Sequence, residues 1–163
     1  MNSPDEILSS LIIILYLMLG LCMGSFASAI SYRVQHGLSW ILVEDYKTNQ
    51  KKPARSVCTS CGHQLSFFDL IPLWSWAWFL GKCRYCHTKI SYSYPFIETC
   101  GAFVVFGYYM LGIATPAIIA LIILLPFSLS FILLLINRSN PPYYIYLALL
   151  LNIFVIVYYV VKI

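Results

Sequence analysis

Four cysteines in two equal spacings, Cys58-Thr-Ser-Cys61 and Cys83-Arg-Tyr-Cys86, are the residues of this chain best suited to chemistry. Two residues between thiols let both sulfurs turn onto one ion, and two such turns complete a tetrahedral four-sulfur zinc site. The 21 residues between the pairs fall one residue beyond the commonest window for such sites. Gly62, directly after the first pair, suits the left-handed backbone that these turns call for. Four protein ligands leave the metal no open position, so the expected Zn2+ is structural, a staple rather than a catalyst. The other readings are two disulfides or four unligated thiols. His63 and His87, beside the pairs, could each replace a thiolate but are expected as exposed turn residues. Cys22 and Cys100 fall in apolar runs and are expected to pack as small hydrophobes.

The elements that must carry this module are greasy. The chain of 163 residues is 61% hydrophobic and 10% charged, against about 25% charged in soluble domains. Four apolar stretches approach the roughly 20 residues a membrane helix needs. They run over about Ile7–Tyr32, Pro95–Gly112, Thr115–Ile136 and Tyr143–Val161, and Asn-Arg-Ser-Asn-Pro-Pro at 137–142 is a turn. A cleaved signal peptide fits the first stretch poorly, because it opens on Asp5 and Glu6 and outruns the usual apolar core. The expected fold is an all-α integral membrane protein of about four transmembrane helices with a cytoplasmic zinc-binding four-cysteine loop. Its organisation is a first transmembrane helix over 1–32, a loop over 33–94 and three further helices over 95–163.

Charge sets the orientation. Arg33, Lys47, Lys51, Lys52, Arg55, Lys82, Arg84 and Lys89 lie between the first two spans and Arg138 between the last two, leaving Lys162 alone on the other side. The positive-inside rule then makes the 33–94 loop cytoplasmic and puts both termini outside. A net charge of +4 gathered beside a membrane is weak evidence for nucleic acid, and no nucleic-acid partner is expected. Leu70–Leu80 reads LIPLWSWAWFL, too short to span and rich in Trp74, Trp76 and Trp78. Tryptophan favours the membrane–water interface, so a zinc-closed apolar hairpin lying on the inner leaflet is one reading and an ordinary buried segment of the loop the other. Gly20, Gly24 and Ser28 recur every fourth residue, a small stripe that lets another helix approach, within the chain or from a second copy.

Two longer signatures resemble a known family. GLCMGSFASAISYR at 20–33 is similar to the opening of the bacterial type IV prepilin peptidases, and IPLWSWAWFLGKCRYCHTKISYSYPFIE at 71–98 to their next signature, with CTSCGH at 58–63 part of the same pattern. The resemblance covers about residues 20–101. It implies an inner-membrane enzyme that removes the basic leader of prepilins or type II secretion pseudopilins and methylates the new N-terminus with S-adenosylmethionine. In that family two aspartates at membrane-helix ends do the proteolysis, one ionised to activate water and the other protonated. Here the aspartates are Asp5, Asp45 and Asp69, and no Gly-x-Gly-Asp follows. Asn137 falls near the first aspartate's place, either as a lost catalytic position or as a plain turn residue. No catalytic residue is therefore assigned, and these residues alone are expected not to cleave. Glu98, an acid in an apolar span, and Arg33 are candidates for substrate binding. Structural pairing of Glu98 with Arg33 or the zinc loop, and snorkelling of Arg33, are the alternatives. The expected partners are prepilin or pseudopilin precursors, the bilayer, and a separate peptidase chain or a second copy. Three functions stay open: N-methylation alone, a non-enzymatic module that holds prepilins or a peptidase, and a remnant of a full-length peptidase.

Overall fold

A computed structural model of the chain describes residues 3–39, 42–45, 50–53, 55–113 and 115–162. Helix α1 spans Pro4–Gln35. Its start is fixed by a reciprocal cap: the Glu6 amide donates to Ser3 Oγ at 3.3 Å and the Ser3 amide to Glu6 Oε2 at 3.1 Å. Pro4 fills the first helical position, where its missing N–H costs nothing. Asp5 and Glu6 in the first turn and Arg33 in the last both complement the helix dipole.

After α1 comes an antiparallel hairpin, β1 over Leu42–Asp45 and β2 over Gln50–Pro53, with Leu42 opposite Pro53 and Asp45 opposite Gln50. The hydrophobic pattern gave no sign of this pair. A 3-10 turn at Phe67–Leu70 and the short helix α2 at Trp74–Trp78 lie between the two cysteine pairs. Three longer helices follow: α3 at Ser93–Met110, α4 at Thr115–Ile136 and α5 at Tyr143–Lys162.

Helices α1, α4 and α5 are long and apolar enough to cross a membrane, with spans at Pro4–Gln35, Ala117–Ile136 and Tyr143–Val161. The chain is a membrane protein. The second expected span, now α3, is shorter and more polar, holding Glu98, Thr99 and a run of tyrosines. It packs along α1, which also meets α4, and α4 carries α5 on its other flank.

The small stripe of α1 makes the close contact with α3 possible, so the partner helix belongs to the same chain. A Cβ on Gly24 would sit 2.5 Å from the Ile97 carbonyl oxygen and 2.6 Å from Glu98 Cα, and one on Gly20 would be 2.5 Å from Ala102 Cα. Only a hydrogen in place of a side chain allows backbones this near. Ala27, Ile97, Val105, Leu125 and Leu129 fill the space where α1, α3 and α4 meet. The faces of α1 and α5 turned outward, with Leu11 and Phe154 among them, stay apolar, as a lipid-facing surface must.

One polar network crosses this apolar interior. Tyr108 of α3 donates to Asn152 Oδ1 of α5 at 2.9 Å, and Asn152 Nδ2 donates to Ser128 Oγ of α4 at 3.2 Å. All three residues are buried, and the bonds tie three helices together where water cannot compete. The turn after α4 closes by a Schellman motif: the Arg138 amide donates to Leu135 O and the Ser139 amide to Leu134 O, with Arg138 at φ +54°. Asn137, the residue just before Arg138 in that cap, is exposed.

Candidate metal centre and membrane-side cavity

The two cysteine pairs form two copies of one turn. In the first, the Cys58 amide donates to His63 O and the Gly62 amide to Cys58 O, both at 2.9 Å. In the second, Cys83 and Thr88 pair the same way, as do His87 and Cys83, again at 2.9 Å. Each turn is closed one step further out by an antiparallel bridge, Val57 with Gln64 and Lys82 with Lys89. The fifth residue of each copy needs the left-handed region: Gly62 sits at φ +69° and His87 at φ +55°. Gly62 was expected to serve this purpose. The equivalent role of His87 was not, since histidine gives no such signal.

The four sulfurs lie within 4.8 Å of one another, and Cys58 Sγ and Cys86 Sγ are 3.9 Å apart. A tetrahedral ion with metal–sulfur bonds of about 2.3 Å separates its sulfurs by about 3.8 Å, so the cage fits such an ion after small adjustments. The four cysteines can therefore hold a metal ion.

The thiols also behave unequally, as a shared site requires. Hydrogen bonds from the Thr88 hydroxyl and amide pull the Cys86 thiol down to about 6. The Cys61 and Ser60 amides lower that of Cys58. At Cys61 the His63 amide also favours the thiolate, but desolvation and the neighbouring Cys86 and Cys58 outweigh it and push the thiol up to about 11. Four negative charges this close are stable together only around a cation.

Side chains lace the two turns together. The Ser60 and Thr88 hydroxyls meet at 3.1 Å, and the His63 and Tyr85 rings stack with centroids 3.6 Å apart. Tyr85 then donates its hydroxyl to Asp69 Oδ2 at 3.1 Å, where the Ser66 amide and hydroxyl also donate. Burial alone would raise Asp69, but the Ser66 donors, Tyr85 and the Arg84 guanidinium 3.9 Å away hold it below the usual carboxylate range. His63 and His87 remain exposed beside the cage, as expected.

Glu98 and Arg33 bind the module to the helices. Glu98 Oε2 accepts from the Leu73 amide at 2.7 Å. Of the two structural partners expected for it, the four-cysteine loop is the one found. Leu73 itself sits at φ +58°, a strained position for leucine that this partly buried bond helps to hold. Arg33 donates to Ser39 O at 2.9 Å and to Arg55 O at 3.0 Å, so it grips both feet of the segment that contains the hairpin.

Between the module and the ends of α1 and α3 lies a cavity of about 1190 Å³. Ser25, Ser28 and Tyr32 of α1 and Tyr94 and Glu98 of α3 form its helical wall, and both cysteine turns face it. Arg33, Arg55, Lys82, Arg84 and Lys89 also line it, against the carboxylates of Asp69 and Glu98. The cavity is cation-rich and one-sided. Asn137 is absent from its lining.

A membrane-helix platform, a two-turn four-cysteine cage that can hold a metal ion and a cavity between them define a class: a four-cysteine module seated on a helical membrane protein. The family described as the bacterial peptidase A24 N-terminal domain matches residues 18–111, more than half of the chain, and the chain belongs to that family. It is 34% identical over 100 residues to a prepilin leader peptidase/N-methyltransferase of Vibrio cholerae, covering 61% of this chain and 38% of the relative. A protein of the same description from Pectobacterium carotovorum is 33% identical over 123 residues, covering 68% of this chain and 43% of the relative. A third, from Myxococcus xanthus, is 39% identical over 80 residues, 49% of this chain and 21% of the relative. The chain thus spans less than half the length of the curated relatives it matches. No solved structure gives a significant match.

Proposed function

We propose that residues 1–163 form the substrate-holding part of a prepilin-processing system and do not themselves cleave. The observation that carries this reading is the cation-rich cavity between the metal module and the ends of α1 and α3, in a chain of the A24 family. Among the described residues, five basic side chains line the cavity against two carboxylates, which suits a segment bearing negative charge beside an apolar stretch, as the family resemblance implies for a pilin-like N-terminus. Arg33 and Glu98 are the substrate-side groups in this reading. Arg33 uses two of its five donors on backbone carbonyls, which leaves the others for an acidic group. The metal is zinc and structural, and the bilayer is an inner membrane with residues 33–94 on the cytoplasmic side, as the basic residues argue. Aspartyl proteolysis, which the family resemblance implies, needs a pair of carboxylates sharing a proton. Among the described residues, the two acids that line the cavity hold separate partners, Asp69 with Ser66 and Tyr85 and Glu98 with the Leu73 amide, rather than a proton between them.

The test is the intact mass of a prepilin co-expressed with residues 1–163 in cells that lack their own peptidase. A retained leader, together with co-purification of the prepilin that is lost in Arg33→Ala, is the expected result. Loss of a mass equal to the leader would overturn the reading. Supplying a pre-cleaved pilin and a methyl donor separates a holding module from a methylating one, since the latter adds the mass of one methyl group.

A further inference from the structure

A second face of the module, which shares Phe79 and Arg84 with the cavity wall, carries its own chemistry. Trp74 and Trp78, one turn apart on α2, stack with ring centroids 5.8 Å apart and are 61% and 70% exposed. Phe67 and Phe68 of the preceding turn stand beside them, 78% and 68% exposed. Phe68, Trp74, Trp78 and Arg84 border a shallow depression of about 440 Å³. Trp76 points the other way, against Tyr92, and donates to Ile90 O. Lys82, Arg84 and Lys89 of the second cysteine turn are exposed.

Depth follows from the helix contacts. Glu98 packs at the level of Gly24 and holds the amide of Leu73, the residue that starts α2. Gly24 lies nine residues before Arg33 in the charge-free run of α1, about 14 Å along a helix axis. The start of α2 is therefore held at a depth where α1 is still apolar. It cannot stand off in bulk water if α1 crosses a bilayer.

We infer that the Phe67–Phe68–Trp74–Trp78 face docks on an anionic bilayer surface, with the aromatic rings at headgroup depth and Arg84, which borders both the cavity and the aromatic depression, against lipid phosphates. Exposed aromatics with a polar edge sit at that level, and each nearby cation adds attraction to anionic lipid. The depth at which Glu98 holds the start of α2 and the adjacent positive charge favour lipid over a protein partner.

The chain, reconstituted in phosphatidylcholine vesicles with and without phosphatidylglycerol, is read by tryptophan fluorescence with lipids brominated at different depths. In the wild type, bromines near the glycerol end quench more than bromines near the chain terminus, and phosphatidylglycerol strengthens the quenching. W74F/W78F loses most of that quenching, and R84Q loses most of the phosphatidylglycerol increment. Trp74, Trp78 and Arg84 are exposed, and bound zinc confirms that the variants fold. Equal lipid quenching in wild type and W74F/W78F overturns the inference. So does shielding of the pair from aqueous iodide without lipid quenching, which would mean a second copy or another protein covers the face. Indifference to phosphatidylglycerol overturns its anionic part.

Discussion

Replacing Gly24 with alanine tests the contact on which the rest of the site is built. The added carbon would meet Ile97 O at 2.5 Å, Glu98 Cα at 2.6 Å and the Glu98 amide at 3.0 Å. All three are backbone atoms, so no side chain can swing aside. An ordinary carbon contact lies at about 3.5–4.0 Å, and α1 and α3 must separate by about 1 Å to restore it. A gap of that size forfeits a quarter to a half of each neighbouring contact, and overpacked interiors lose about 1–3 kcal/mol. Gly107 is the control: a Cβ there meets nothing within 4 Å, so Gly107→Ala is expected to be neutral or to gain up to about 1 kcal/mol of helix propensity. Reversible unfolding in mixed micelles, followed by helical circular dichroism against denaturing-detergent fraction, gives both values. The metal should stay bound in Gly24→Ala, because the cysteine turns close on their own hydrogen bonds. If Gly24→Ala unfolds with Gly107→Ala, the helices are not in backbone contact and the reasoning fails.

Gly62→Ala places a side chain at φ +69° and should weaken metal retention by about 1 kcal/mol, whereas His87→Gly relieves φ +55° and should strengthen it by a similar amount, read by chelator competition. In the metal-free protein Cys86, with a thiol near 6, should alkylate first at pH 7, while Cys61, near 11, should lag until strongly alkaline pH. Because the thiolate is the reactive form, the Cys86 rate rises through pH 6 and then levels. Thr88→Val should move that rise to higher pH, and equal rates at all four cysteines would contradict the assigned bonds. Asn152→Leu removes the link between Tyr108 and Ser128 and should cost about 1 kcal/mol in the same micelle titration. A double cycle with Tyr108→Phe should show coupling between the two.

What the sequence made legible was local. The Cys-x-x-Cys pairs and Gly62 announce their turn because spacing and backbone freedom are properties of adjacent residues. The ends of α4 and α5 follow from hydropathy and from the Asn-Pro-Pro turn, and the stripe of Gly20 and Gly24 names one side of a tight helix pair. The other side, Ile97 to Ala102 of α3, was invisible because nothing in one helix states which neighbour fills its groove. For the same reason Glu98 was flagged as costly without its partner, the strained Leu73 twenty-five residues earlier. Asn152 carried a similar signal, an amide inside an apolar span, and it passed unremarked because no second polar residue stood near it in sequence. Tyr108 and Ser128 are distant in the chain and meet it only once three helices pack.

Arg33 pins the carbonyls of Ser39 and Arg55 with one guanidinium, so the chain leaves and rejoins the body of the protein at a single point. The β1–β2 hairpin lies between those feet. Loop closure grows only logarithmically, by about 0.6 kcal/mol for each doubling of length. A peptide tag, a longer hairpin or a whole small domain grafted between residues 39 and 55 should leave cage and cavity in register. That makes the point a tolerant handle for imaging or capture, and a place where evolution could lengthen the protein at little energetic cost.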